Sequence, residues 1–250
     1  MKLAYFTTKL QRKVPELLIY FWIIKILTTG MGETTSDFFV RQIDPVVAVA
    51  IGVVGLVLAL ALQLYVHRYI AWVYWLAVTM VAITGTMVAD VLHIGLGIPY
   101  LVSTIFFAIC LIIIFAIWFR VEKTFSIHSI TTRRRELFYW ATVMATFALG
   151  TAAGDMTATT LQLGYFNSGI LFAILFFIPL IAWKLGFDEV FAFWFAYIIT
   201  RPLGASFADW IGRPVILHGL GFGTGQISII LAILIILLVG YLSITKKDIR

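Results

Sequence analysis

Charged residues are scarce in this sequence, and their scarcity excludes a water-soluble globular protein. Only 12% of the 250 residues are charged, 62% are hydrophobic, and the mean hydropathy is +1.04. Soluble domains usually carry about 25% charged residues, which they need to cover their surface. The composition therefore predicts an integral membrane protein, with the lipid bilayer as its first partner.

Cysteine is almost absent as well, which excludes two kinds of site. The single cysteine, Cys110, lies in an apolar run, so no intramolecular disulfide can form and no metal site can be built on several thiolates. No nucleophile elbow, His-Glu zinc helix or phosphate-binding loop is visible. We therefore expect no cofactor, and no motif supports an enzyme.

A recognisable signal peptide is also lacking. The first apolar stretch is about 20 residues long and runs into Gly30, Gly32 and Glu33 without a cleavage site, so we expect it to be a spanning helix. The net charge of +6 comes from basic residues that flank apolar segments and form no continuous face. This pattern favours membrane orientation over nucleic-acid binding.

What the sequence does contain is a motif that occurs four times. In each copy an aromatic residue and a tryptophan are followed, after nine residues, by a glycine, and then by a small residue and an aspartate. No gap is needed to superpose the copies, so an internal repeat of about 55 residues is predicted. The copies are Phe21-Trp22, Gly32, Ser36-Asp37; Tyr74-Trp75, Gly85, Ala89-Asp90; Tyr139-Trp140, Gly150, Gly154-Asp155; and Phe193-Trp194, Gly204, Ala208-Asp209.

Eight apolar segments are long enough to cross about 30 Å of hydrocarbon. Every second segment carries the motif, so the sequence predicts an all-α polytopic membrane protein of eight transmembrane helices. They form four hairpin repeats of one orientation, in a pseudo-fourfold or a two-plus-two arrangement. The expected spans are 16–38, 45–66, 69–93, 99–120, 136–162, 168–185, 189–211 and 224–244. Residues 1–250 are treated as one membrane domain with repeats at approximately 16–68, 69–121, 136–186 and 187–245 and a cytoplasmic linker at 121–135.

The basic residues indicate the orientation of the hairpins. With a cytoplasmic amino terminus, only Arg41 and Arg213 fall on the outer side, and only Lys25 and Arg201 lie within spans. This positive-inside asymmetry predicts that both termini are cytoplasmic and that the aspartates lie at the outer ends of their helices. The run at 133–135 is explained as a topology determinant near anionic headgroups, although it could also bind an acidic partner.

The residues of the motif have separable roles. On an α-helix the glycine and the small residue four positions later share one face, which permits close helix packing. The tryptophan lies 15 residues before the aspartate, a distance that favours an anchor at the inner interface. The aspartate points away from the packing face, toward another neighbour or a central space. The packing glycines are Gly32, Gly85, Gly150 and Gly204.

If the motif helices converge, their aspartates form an acidic cluster that attracts cations. Carboxylates and nearby hydroxyls without thiolates suit hard cations such as Mg²⁺, Ca²⁺ or Mn²⁺, and His93 could add a nitrogen ligand. Lys25 and Arg201 need partners within the membrane, and the same acids are the candidates. The candidate cation-binding residues are Asp37, Asp90, Asp155, Asp209 and Glu33.

Several segments resemble a bacterial membrane-protein family of unknown function that has four two-helix repeats. The resemblance is carried by residues 25–33 (KILTTGMGE), 122–128 (EKTFSIH), 147–155 (FALGTAAGD) and 200–206 (TRPLGAS). It covers nearly the whole chain. The resemblance implies a bacterial inner-membrane location and the hairpin architecture, but it brings no activity and no catalytic residues.

The leading functional hypothesis is a membrane transporter or channel for a cation, with a divalent metal such as manganese or magnesium as a candidate. In one alternative, the aspartates only form hydrogen bonds between the helices of a scaffold or sensor, whose segment 120–136 contacts a partner. A third class is an intramembrane enzyme in which two close carboxylates act on a lipid-linked substrate. The sequence leaves open whether the protein forms a homo-oligomer.

Overall fold

A computed structural model describes residues 12–249, and within this range the secondary structure is entirely helical. The amino-terminal residues expected on the cytoplasmic side therefore lie largely outside the described residues. The first helix begins three residues later than the expected span and extends to Gln42. The helices are α1 (Ile19–Gln42), α2 (Pro45–Tyr65), α3 (Ala71–Asp90), α4 (Tyr100–Glu122), α5 (Arg133–Asp155), α6 (Gly164–Lys184), α7 (Glu189–Gly212) and α8 (Thr224–Thr245).

Seven of the described helices, α2 to α8, are long and apolar enough to cross a membrane. Helix α1 has 24 residues, but Lys25, Glu33, Asp37 and Arg41 make it more polar than the others. Polar residues inside a span normally face other helices rather than lipid. The prediction of an all-α polytopic membrane protein is confirmed.

Polar residues outside the motif account for several helix starts. The side chain of Asp44 accepts hydrogen bonds from the backbone N–H groups of Val46 and Val47, and Pro45 occupies the first position of α2. Asp188 and Thr132 cap α7 and α5 in the same way. Capping oxygens satisfy backbone donors that a helix start leaves free.

The motif helices α1, α3, α5 and α7 are the inner helices of the molecule. In α3, α5 and α7, 61–67% of the most apolar stretch is buried inside the protein, against 17–22% in α2, α4, α6 and α8. Helix α1 packs against both α3 and α7, and α5 packs against the same two helices. The inner helices therefore form a closed ring with pseudo-fourfold symmetry.

Each outer helix packs mainly against the inner helix of the next repeat. Helix α2 lies on α3, α4 on α5 and α6 on α7, while α8 lies on α1 and closes the circle. Contact between α1 and α2 of the first hairpin is slight by comparison. The four hairpins are thus interlocked, and no hairpin buries its apolar faces by itself.

The motif glycines lie at close contacts between neighbouring inner helices. Each glycine faces the residue that lies three positions before the motif glycine of the next inner helix. A Cβ atom at Gly32 would lie 2.5 Å from the Cβ of Ala82, and one at Gly150 would lie 2.5 Å from the Cγ of Arg201. The contacts are Gly32 with Ala82, Gly85 with Phe147, Gly150 with Arg201, and Gly204 with Thr29.

Contacts between aromatic side chains join each inner helix to the next near their other end, which we call the tryptophan end. The aromatic residue of each motif packs against the tryptophan of the next copy, with centroid distances of 5.6–6.1 Å. Trp75, Trp140 and Trp194 are at most 5% exposed, so the interpretation of these tryptophans as interface anchors is wrong. The pairs are Phe21–Trp75, Tyr74–Trp140, Tyr139–Trp194 and Phe193–Trp22.

Candidate functional site

The four motif aspartates lie at one end of the ring of inner helices, which we call the aspartate end. Arg213, just after α7, lies among three acids from two helices. Its guanidinium is 2.8 Å from Oδ1 of Asp209, 3.2 Å from Oδ2 of Asp37 and 3.7 Å from Oε1 of Glu33. Acids from the first and fourth repeats therefore share one cation.

The remaining two aspartates extend this cluster across the ring. One carboxylate oxygen from each of Glu33, Asp155 and Asp209 lies within 4.8 Å of the others. Asp90 also approaches Asp155 within this distance, and it accepts a hydrogen bond of 3.4 Å from the hydroxyl of Ser36. The structure thus brings together all five acids selected from the sequence.

Arg201 occupies the centre of the ring, next to the aspartate cluster. Its guanidinium is completely buried and donates to Oε2 of Glu33 at 2.7 Å, to the hydroxyl of Thr151 at 2.8 Å, and to the hydroxyl of Thr86. These three partners occupy the same motif position, directly after the glycine, in the other three repeats. Of the acids named from the sequence as candidate partners of Arg201, Glu33 is the one that pairs with it.

Lys25 lies two turns from Glu33 toward the tryptophan end and pairs with no acid among the described residues. Its ammonium group is completely buried, 4.0 Å from the ring centroid of Phe147 and 4.2 Å from that of Tyr197. The expectation of an acidic partner for Lys25 is therefore wrong. Glu33 is already engaged by Arg201, and the lysine instead lies against two aromatic faces.

The aspartates fall into two pairs that differ in the next few residues of the chain. Asp37 and Asp209 each have an arginine four residues later, at 41 and 213, that forms an ion pair with them. Asp90 and Asp155 each lead directly into a π-helical turn, at Val91–Gly95 and Met156–Thr160. Within the described range, no arginine forms an ion pair with this second pair.

Arg213 is a site residue that was not identified from the sequence, where it was expected only to lie on the outer side. Burial alone would lower the pKa of Arg213, but the carboxylates of Asp209 and Asp37 raise this pKa above its ordinary value. The guanidinium therefore stays charged. Its spacing of four residues from Asp209, repeated by Asp37 and Arg41, is the signal that could have identified it.

His93 lies in the π-helical turn after Asp90 and is only 7% exposed. Its Nε2 atom is 2.5 Å from the hydroxyl of Ser103, and its Nδ1 atom is 3.9 Å from Oδ2 of Asp155. One ligand atom from each of Asp90, His93 and Asp155 lies within 4.8 Å of the other two. These residues have the ligand types and spacing to hold a metal ion.

An apolar groove of about 320 Å³ lies at the tryptophan end, away from the aspartates. Its lining includes Trp22, Phe176, Pro179 and Phe193. Such a lining suits lipid chains, and the groove offers few polar groups for a charged ligand. The chemistry that the chain can perform is therefore concentrated at the aspartate end.

Comparison with known proteins gives one match. The family model described as Repeat of Unknown Function (DUF347) matches four segments, at residues 20–69, 73–124, 138–185 and 192–248. Each match covers most of one inner helix and the whole outer helix that comes after it. No curated protein and no solved structure matches the chain.

Proposed function

The chain belongs to the family of the Repeat of Unknown Function (DUF347), and we propose that it is a membrane transporter for a cation. We place it in the bacterial inner membrane, with both termini cytoplasmic and the aspartate end outward. The basic residues near the tryptophan end support this orientation.

The convergence of five carboxylates from all four inner helices is the observation that carries the proposal. They belong to Glu33 and to the four motif aspartates, and three arginines lie near them, at residues 41, 201 and 213. The acids therefore outnumber these arginines by two, and Asp90 and Asp155 are the acids without an arginine partner among the described residues. A surplus of buried carboxylate favours the binding of a cation.

The position of Arg201 favours a carrier over a permanently open channel. Its guanidinium stands at the centre of the ring and contacts the three other inner helices. A fixed positive charge at that position opposes the passage of a cation. We therefore favour a carrier that must separate Arg201 from Glu33 before the cation can move inward.

The same contacts favour one competing interpretation, in which the ion pairs only hold the helices together. Arg201 and Arg213 each join residues of different helices, as such a structural role requires. The two interpretations predict different effects on stability and on cation flux when Asp90 or Asp155 is replaced by an uncharged residue. A structural role predicts altered stability, whereas transport predicts lost flux at unchanged stability.

Purified protein in lipid vesicles tests the proposal. Vesicles loaded with a metal-sensitive dye are exposed to Mn²⁺, Co²⁺ or Mg²⁺, and vesicles with a pH- or potential-sensitive dye are exposed to Na⁺ or K⁺. We expect a flux of at least one cation that exceeds that of protein-free vesicles. The absence of flux for every cation, with and without a proton gradient, contradicts the proposal.

A further inference from the structure

We propose that Asp90, His93 and Asp155 form a binding site for a divalent transition-metal cation such as Mn²⁺ or Co²⁺. This inference rests on the proposed function, because it names the cation class and its first binding site. One ligand atom from each residue lies within 4.8 Å of the other two. Two ligands of one metal at about 2.2 Å can be no more than about 4.4 Å apart. A small contraction of the cluster is therefore enough to bind the ion.

The orientation of His93 is an independent observation that points to a ligand. The hydroxyl of Ser103 has one hydrogen to donate. Its oxygen lies 3.1 Å from the carbonyl oxygen of Tyr100 and 3.3 Å from that of Pro99. When Ser103 donates this hydrogen to a carbonyl, it accepts the Nε2–H of His93, 2.5 Å away. The lone pair of His93 then resides on Nδ1.

That Nδ1 atom is buried, has no hydrogen-bond partner among the described residues, and lies on the side of Asp155. A buried acceptor without a partner costs free energy unless a ligand satisfies it. Metal-binding histidines usually donate their second N–H to a neighbouring oxygen, which fixes the ring, and Ser103 occupies that place. The imidazole is thus held ready to bind a metal ion.

The neighbouring acids show why the ion binds here and not elsewhere in the cluster. Asp37 and Asp209 are paired with Arg213, and Glu33 is paired with Arg201. A metal at those carboxylates would have to displace a guanidinium. Asp90 and Asp155 form no ion pair with arginine in the part of the chain that the structure describes, so their oxygens are available to the metal.

The ligand set indicates the kind of cation. Mg²⁺ and Ca²⁺ prefer oxygen ligands alone, and Cu⁺ prefers sulfur. One imidazole nitrogen with two carboxylates suits Mn²⁺, Fe²⁺, Co²⁺ or Zn²⁺. Asp155 also approaches Glu33 and Asp209, so it connects the metal site with the ion pair that closes the centre of the ring.

The test is titration calorimetry of the full-length, tag-free protein in detergent, with Co²⁺, Mn²⁺ and Mg²⁺, together with the visible absorption of bound Co²⁺. We expect one Co²⁺ per chain and Mg²⁺ binding at least about tenfold weaker. His93→Gln should lower Co²⁺ affinity by about tenfold or more and change the absorption spectrum. Asp155→Asn should weaken the binding of all three metals.

The matched control is His218→Asn, which changes an exposed histidine in the loop before α8. Asparagine tolerates the left-handed backbone conformation at this position, where φ is 62°. The control should bind Co²⁺ as the unaltered protein does. Equal affinities for Co²⁺ and Mg²⁺, or unchanged Co²⁺ affinity and absorption in His93→Gln, would overturn the inference.

Two further outcomes separate this site from the transport proposal. If no divalent metal binds but vesicles still carry Na⁺ or K⁺, the metal site is wrong and cation transport stands. If Co²⁺ binds through His93 but no cation crosses the membrane, the site stands and transport is wrong. Should His93→Gln not fold, Asp90→Asn replaces it, and unchanged Co²⁺ affinity in that variant overturns the inference.

Discussion

The guanidinium of Arg201 lies 2.7 Å from Oε2 of Glu33 at the centre of a ring of four helices, and both side chains are almost inaccessible to solvent. This pair joins the fourth repeat to the first. Because Arg201 also contacts Thr86 and Thr151, one side chain meets the equivalent position in all three other repeats. The fourth repeat has Ala205 at that position, so no fourth side chain competes for the space.

The pairing predicts strongly non-additive effects on stability. Glu33→Gln or Arg201→Met alone should lower the free energy of unfolding by about 3–5 kcal/mol, because each leaves a buried charge without its partner. The double variant should lose less than the sum of the two single losses. Unfolding of the purified protein in mixed micelles measures all three, and strictly additive losses would show that the two groups do not interact.

The motif glycines predict a second effect on stability. Gly32→Ala or Gly150→Ala should destabilise by about 1–3 kcal/mol, because the added methyl group would lie 2.5 Å from an atom of the next inner helix. Gly240→Ala in α8 is the matched control, since its nearest atom would be 3.7 Å away. The control should be neutral or slightly stabilising. Equal effects at all three sites would contradict the close packing of the ring.

For a substitution of Lys25 we expect no loss of stability, in contrast to the glycine variants. Lys25→Met should leave the free energy of unfolding unchanged or raise it by about 1 kcal/mol, because the substitution removes a buried amine that has no hydrogen-bond partner among the described residues. The loss of its contacts with Phe147 and Tyr197 offsets part of this gain. Thermal unfolding in detergent measures the change. A loss of about 3 kcal/mol or more would indicate a counter-ion that the described contacts do not include.

Much of the architecture could be predicted from the sequence because its determinants are local. Eight apolar segments and four ungapped motifs are visible without knowledge of tertiary contacts, and they predict eight helices with four in parallel. The interlocking of the repeats could not be predicted. Helix α2 is close in sequence to both α1 and α3, and only side-chain packing makes it lie on α3.

The expectations that the structure corrected or extended depend on long-range contacts. Trp75 carries the residue type of an interface anchor, yet the neighbouring Phe21 buries it. Lys25 has acids two and three turns further along its own helix, but Arg201 from α7 already binds Glu33. Arg213 has the spacing of an ion pair with Asp209, but only the folded ring brings Asp37 to the same guanidinium.

The initial rate of Mn²⁺ or Co²⁺ entry into vesicles that contain the Asp155→Asn variant tests the central claim most directly. The matched control is Asp44→Asn, because Asp44 is an exposed helix cap outside the cluster and asparagine caps equally well. At equal protein yield and unchanged thermal stability, we predict that Asp155→Asn reduces the rate about tenfold or more, whereas Asp44→Asn keeps the unaltered rate. Equal rates in the two variants would contradict the assignment of the aspartate cluster to cation transport.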